Sequence, residues 1–140
     1  MSRAAAVRYA AGVLLAGAAG AACAHHSFAQ FDTSKTVELS GTLRALEWQN
    51  PHSWIWINVP QSDGKVDVWG GEFGGGPSNL SREGLDRTTI QPGDKIVLTL
   101  FPARNGSKAG SVYKVQLANG KVIEFQRPQI NNPSPGQPPP

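Results

Sequence analysis

Three histidines, His25, His26 and His52, are the residues best suited to bind a metal in this sequence. Cleavage after Ala24 would make His25 the first residue of the mature chain, where its free amine and its ring nitrogen can chelate one ion together. The imidazole of His52 or His26 would complete a nitrogen site, which suits Cu(II), and imidazole also binds zinc and nickel. The alternative is that His25 and His26 lie on a frayed terminus while His52 hydrogen-bonds within an Asn-Pro turn.

Tryptophans form a second group that could bind a ligand. In the predicted second strand Trp54 and Trp56 alternate with aliphatic residues, so the two indoles share one face. If the aliphatic face fills a core, both indoles point outward. A tight hairpin at Asp63-Gly64 would set Trp69 opposite Asn58 and diagonal to Trp56.

Together these indoles predict an apolar ligand platform, with Glu72 at its end. The alternative is that Phe28, Phe31 or the C-terminal strand covers the indoles as a second small core, because large exposed aromatic patches are uncommon on monomers. Glu72 is an acid, a metal ligand or a hydrogen-bond acceptor, and no second carboxylate pairs with it. Ser53 follows His52, but neighbours in a strand point to opposite faces, so they form no nucleophile–base pair. The sequence thus contains no evident catalytic residues.

The amino terminus has the pattern of a secretory signal. Arg3 and Arg8 precede an apolar stretch over residues 9–22, which is shorter than the ~20 residues of a membrane-spanning helix. It ends in Ala22-Cys23-Ala24, a small-residue cleavage pattern. We therefore expect residues 1–24 to be a signal peptide, leaving a periplasmic or secreted protein without a membrane span. Lipoprotein anchoring at Cys23 is the less favoured alternative.

Charge and composition exclude some classes of function. The chain has 13 basic and 10 acidic residues, and Arg3 and Arg8 lie in the segment expected to be removed, so the mature protein is nearly neutral. A nearly neutral protein lacks the basic face that binds nucleic acid. Cys23 is the one cysteine, so the mature domain has no disulfide. The proline-rich residues 128–140 predict a disordered tail, which leaves residues 25–127 as the domain.

Hydrophobic alternation and turn residues predict six strands and one short helix. The helix is expected to begin at Ser78 as N-cap and to end at Gly84, and residues 70–76 are expected to form a flexible joint. The strands are expected at residues 36–47, 53–59, 65–69, 95–101, 111–117 and 122–125. Three strands, a helix and then further strands follow the order of the OB-fold, so we predict an all-β fold, a small OB-fold-like antiparallel barrel. A β-sandwich is the alternative.

Several short motifs, in this order, resemble the bacterial domain-of-unknown-function family 6152. They are His25-His26-Ser27-Phe28, Phe31-Asp32, Asn50-Pro51-His52, Trp69 with Glu72, Leu80 with Arg82 and Gly84, Gly93-Asp94, and Pro102-Ala103-Arg104-Asn105-Gly106. The resemblance covers the mature region except the proline-rich tail. It implies a small exported domain and supplies no activity or catalytic residue.

Three functions remain open from the sequence. The leading prediction is a non-enzymatic periplasmic binding or accessory module for a small ligand or a partner protein. The second is a periplasmic copper or other metal-binding protein that uses His25. The third is a small metalloenzyme, which would need an open coordination position and a substrate cleft.

Overall fold

The computed structural model describes residues 30–126, which form six strands and one helix. The predicted signal segment, His25, His26, Phe28 and the proline-rich tail lie outside these residues. The elements are β1 Val37–Glu47, β2 Trp54–Pro60, β3 Val66–Glu72, α1 Pro77–Glu83, β4 Lys95–Pro102, β5 Ala109–Gln116 and β6 Val122–Glu124. This order confirms the predicted all-β fold with one short helix.

Five of the strands close into an OB-fold-like barrel. The sheet runs β3-β2-β1-β4-β5-β6, and β3 also pairs with β5, which closes the ring and leaves β6 as an added strand. Every pairing is antiparallel except β3 with β5, which is parallel. The barrel is therefore mixed rather than wholly antiparallel as predicted. Because an odd number of strands cannot alternate in direction around a closed ring, one pairing had to be parallel.

Strand β1 connects the two halves of the barrel at Gly41 and Thr42. Its first half pairs with β4 and its second half with β2, and the register shifts between Leu43 and Ala45. A Cβ at residue 41 would lie 2.5 Å from the carbonyl oxygen of Asn58. The missing side chain lets the backbones of β1 and β2 approach here, which is a common reason for a glycine where a strand bends or bulges.

The hairpins at Asp63-Gly64 and Asn119-Gly120 contain three-residue loops, whereas these residue pairs predict two-residue turns. Gln61 N–H donates to the Lys65 carbonyl, and Leu117 N–H donates to the Lys121 carbonyl. Gly64 and Gly120 adopt positive φ of 83° and 85°, the conformation that such loops require at their last residue. The extra residue shifts each hairpin by one position, which moves every side chain of the following strand to the other face.

This shift corrects part of the core that the strand alternation predicts. That predicted core comprises Val37, Leu39, Leu43, Ile55, Ile57, Val66, Val68, Ile96, Leu98 and Leu100. Val66 and Val68 are 57% and 38% exposed rather than buried, because they now pair with Pro60 and Asn58 on the outer face. The remaining predicted core residues fill the barrel or pack at its margin, as their alternation indicated. Buried members of the core include Leu43, Ile55, Ile57, Ile96, Leu98 and Leu100, with Leu39 partly buried against them.

Gly70 and Gly71 belong to β3 and not to a flexible joint. They pair with β2 on one side and with β5 on the other. A Cβ at residue 70 would lie 2.7 Å from the Trp56 ring, and one at residue 71 would lie 2.7 Å from the Val112 side chain. The two glycines are therefore places where neighbouring side chains pack onto the strand.

Helix α1 covers one end of the barrel through Leu80, which is 1% exposed. Its N-cap is Gly76 with Pro77 in the first turn, rather than Ser78 as predicted, because proline at the start of a helix needs no N–H partner. Gly84 ends the helix in the left-handed conformation, as the sequence indicated. Within residues 30–126 there is no helix long and apolar enough to cross a membrane.

Candidate functional site

His52 and Glu72 form the closest histidine–carboxylate contact in the described part of the chain. Nδ1 of His52 lies 2.5 Å from Oε1 of Glu72. The contact fixes the orientation of the imidazole, and in the Nδ1–H tautomer the ring donates to the carboxylate oxygen. The second carboxylate oxygen, Oε2, accepts a long hydrogen bond of 3.5 Å from Nε2 of Gln30. Glu72 is 6% exposed, so the carboxylate that contacts His52 is buried.

Backbone hydrogen bonds hold the two residues together. His52 lies in the segment between β1 and β2, and Glu72 is the last residue of β3. Ser53 N–H donates to the Gly75 carbonyl, and Phe73 N–H donates to the Ser53 carbonyl, each at 3.0 Å. These bonds tie the segment that carries His52 to the end of the strand that carries Glu72. The contact is thus built into the sheet and does not depend on side-chain packing alone.

Ser53 has no role as a nucleophile in this arrangement. It is fully buried, and its hydroxyl donates to the Gln49 carbonyl at 3.3 Å. Across residues 30–126 there is also no group of three histidine, cysteine or acidic side chains arranged to hold a metal ion. His52 and Glu72 are brought together, whereas His25 and His26 lie outside the described residues.

Trp54 and Trp56 form a stacked pair on the outer face of β2. Their ring centroids are 5.6 Å apart and their planes differ by 18°. Nε1 of Trp56 donates to Oε1 of Glu47 at 3.0 Å, and the Trp56 ring packs over Gly70. Trp56 is therefore fixed from two sides and supports Trp54. Both indoles are half-buried.

Trp69 does not join this pair. It lies opposite Ile57 rather than Asn58, so it shares the inner face of the sheet and packs partly against the core. The one-residue hairpin shift is the reason that the predicted arrangement of three indoles is wrong. At the barrel margin Trp69 borders a separate groove with Asp32, Lys35 and Arg104.

A groove next to Trp54 unites residues that the sequence did not bring together. Its cavity volume is about 320 Å³, at the lower end of the range of roughly 300–1,000 Å³ for small-molecule sites. It lies between Trp54 on β2 and the loop that joins β4 to β5. The lining residues include Gln30, Phe31, Trp54, Arg104, Asn105 and Ser107.

The position of this groove agrees with the general use of the fold, because OB-folds bind ligands on the face of strands 2 and 3 and with the loops beside it. Gln30, Arg104 and Asn105 were not among the predicted site residues. The signal for the last two was present in the sequence, since Arg104-Asn105-Gly106 is a polar loop between two predicted strands. Gln30 could not be found that way, because only the fold brings it to Glu72.

Charge is unevenly distributed around the groove. Arg104 is the one charged residue among its lining residues in the described chain. Asp32 borders the adjacent groove, where hydrogen bonds from the Ser34 hydroxyl and N–H lower its pKa from 3.8 to about 2, with a smaller effect of Lys35. The groove beside Trp54 is therefore apolar where Trp54 and Phe31 line it, and Arg104 supplies the charge of its lining residues in the described chain.

The sequence profile of a family of unknown function, DUF6152, matches residues 11–116. The chain belongs to this family. The match covers more than half of the chain, and it confirms the resemblance carried by the short motifs. As a DUF6152 member, the protein thus places a histidine–carboxylate pair and a tryptophan-lined groove on an OB-fold-like barrel. No curated protein and no solved structure is similar enough to this chain to count as a match.

Proposed function

We propose that this protein is an exported, non-enzymatic binding module that holds a small ligand in the groove beside Trp54. The export part rests on the charged start, the short apolar stretch and the alanine-flanked cleavage pattern of residues 1–24. The binding part rests on the groove itself. Arg104 and Asn105 are exposed on a loop, whereas Trp54 stands on a strand of the barrel.

One observation carries the binding proposal. Trp54 stacks on Trp56 and also lines the groove, so a large aromatic surface is held in place before any ligand arrives. Preorganised surfaces bind more tightly because little conformational entropy is lost on binding. Ligand sites are typically apolar with a few well-placed polar groups, and Gln30, Arg104 and Asn105 supply such groups here.

Native mass spectrometry of the protein purified from the periplasm tests this proposal. After incubation with a small-molecule extract of the same compartment, the wild-type protein should retain a bound compound of unchanged mass. The Trp54→Ala variant should lose it. The matched control is Trp48→Phe, because Trp48 does not line the groove. It packs against the core, and the Arg87 guanidinium carbon lies 5.2 Å from its ring centroid. Retention of no compound, or equal retention by Trp54→Ala, contradicts the proposal, and conversion of the compound indicates an enzyme.

A second candidate function, metal binding by the mature N-terminus, is favoured by the contact between His52 and Glu72. Metal-binding histidines usually donate their other ring N–H to a carboxylate, a carbonyl or water. Because Nδ1 of His52 contacts Glu72, a metal ion bound by this ring would be coordinated through Nε2. The remaining ligands would come from the amine and ring of His25, with His26 as the alternative ring. The expected ion is Cu(II), because the mature chain offers nitrogen and oxygen ligands.

Copper titration of the processed protein tests this candidate. An extra alanine before His25 should abolish tight binding, because it moves the amine out of the chelate ring. His52→Ala should weaken binding, and His26→Ala shows which ring completes the site. Binding should also weaken on acidification, since protons compete for the ligand nitrogens. Equal affinity with and without the extra residue would reduce the result to nonspecific histidine binding.

A further inference from the structure

We infer that the ligand of the groove beside Trp54 is a carbohydrate, with one pyranose ring stacked on the Trp54 indole. This inference rests on the proposed binding function and names the chemical class of its ligand. It follows from three properties of the groove: a supported aromatic wall, a polar rim of amides and a guanidinium, and the absence of a carboxylate among its described lining residues.

The aromatic wall suits the face of a sugar ring. A pyranose carries its equatorial hydroxyls at the edge of the ring and its axial C–H groups on the faces, so each face is largely apolar. Such a face can lie flat on an indole, whose π-system is negative and attracts the C–H groups. Trp54 is held against Trp56, and Trp56 is held by Glu47. The wall is therefore rigid enough to favour a flat ring over a flexible chain.

The polar rim suits hydroxyl groups at the edge of that ring. The Gln30 amide donates to Glu72, and Oδ1 of Asn105 accepts from Ser107 N–H. Each amide has a second N–H and a further oxygen lone pair that can bond a hydroxyl group. Arg104 adds a planar fork of N–H donors that matches neighbouring oxygens or a carboxylate. These residues lie opposite or beside Trp54 around one cavity. A ring on the wall would thus direct its hydroxyls toward amide and guanidinium groups.

Charge argues against two other classes of ligand that bind aromatic sites. A quaternary ammonium ion needs a cage of aromatic faces and gains nothing beside Arg104. A polyphosphate or nucleic acid needs several cations along its path, whereas Arg104 is the single charged residue lining this part of the described chain. A neutral sugar, or one with a single carboxylate, fits the charge that is present.

Isothermal titration and tryptophan fluorescence with pure oligosaccharides test the inference. The probes are β-1,4-linked hexamers of glucose and of N-acetylglucosamine, and an oligomer of glucuronic acid. At least one should bind and alter the fluorescence. Trp54→Ala should weaken that binding by about tenfold or more, the usual loss for an aromatic anchor. Trp48→Phe should leave it within about twofold, because such a change outside the groove removes no contact.

Arg104→Gln gives a second variant that keeps the fold, since residue 104 is exposed on a loop. It should weaken the glucuronic acid oligomer more than the neutral hexamers, which distinguishes an acidic from a neutral sugar. Equal binding by wild type, Trp54→Ala and Arg104→Gln would overturn the groove as the site. Binding of no oligosaccharide, together with Trp54-dependent retention of another compound in native mass spectrometry, would overturn the sugar and leave the binding function standing. Failure of both experiments would overturn both proposals.

Discussion

Nδ1 of His52 and Oε1 of Glu72 meet at 2.5 Å although the residues lie 20 positions apart in the chain. The side chain of His52 is 23% exposed and the side chain of Glu72 is 8% exposed, so the contact spans from the surface into the sheet. It combines an orienting hydrogen bond with a buried acceptor. Glu72 therefore helps to set the orientation of the His52 ring.

Removing the carboxylate should destabilise the protein. Glu72→Ala leaves the His52 donor without this acceptor in a half-buried place, which costs about 1–3 kcal/mol. The free energy of unfolding from urea titration measures it. Lys65→Ala is the control, because the Lys65–Asp63 ion pair is exposed and solvent screens such pairs. Equal losses of unfolding free energy in the two variants would contradict a stabilising role of the buried contact.

If a metal binds at His52, Glu72 should increase the affinity for the metal without being a ligand. Glu72→Gln keeps the size of the side chain and removes the charge that orients the ring. Changes of this kind reduce metal affinity by about 10–100-fold. Copper titration of the processed variant against wild type gives the ratio, and Glu83→Gln on the surface of α1 is the control. An unchanged affinity in Glu72→Gln would separate this pair from any metal site.

The fit of Trp56 over Gly70 should be sensitive to a single methyl group. Gly70→Ala would place a Cβ 2.7 Å from the ring, so the indole must move, at a cost of about 1–3 kcal/mol. The displacement should also shift the tryptophan emission spectrum. Gly74→Ala is the matched control, because no atom lies within 4 Å of a Cβ there. Two glycine variants of equal stability would contradict the packing of this outer face.

The observed burial predicts different losses of stability for alanine substitutions at Leu98 and Val66. Leu98→Ala should cost about 2–5 kcal/mol, since Leu98 is 0% exposed and its removal leaves a cavity. Val66→Ala should cost less than about 0.5 kcal/mol, because Val66 is 57% exposed. Thermal or urea unfolding of the two variants measures both values. A large loss of stability in Val66→Ala would instead support a two-residue hairpin with the Val66 side chain in the core.

Acidity should affect the folded state through Asp32. Hydrogen bonds from Ser34, with help from Lys35, lower its pKa from 3.8 to about 2. A carboxyl whose folded pKa is depressed stabilises the fold above its unfolded pKa and loses that effect as the pH falls through its folded pKa. The difference in Tm between wild type and Asp32→Ala should thus be constant above about pH 5 and shrink toward pH 2. A difference that grows on acidification would contradict the direction of the shift.

Local patterns in the sequence were sufficient for the order of the elements and for an all-β fold with one short helix. The alternation around Ile55 and Ile57, the glycine that ends α1 and the order of strands and helix each depend on neighbours in the chain. These are short-range preferences, so they can be recognised without knowing what lies across the barrel. The pairing of Trp54 and Trp56 on one face was predictable for the same reason.

Long-range registration was decided only by the tertiary structure. One extra residue in the Asp63-Gly64 hairpin turned Trp69 inward and Val68 outward, and no local pattern distinguishes a loop of two residues from one of three. The contact between His52 and Glu72 depends on the register of β2 with β3 and on the backbone bonds beyond it. The groove of Trp54 with Arg104 depends on closure of β3 against β5. Closure of a barrel is a property of the whole chain, because each pairing is set by those around it.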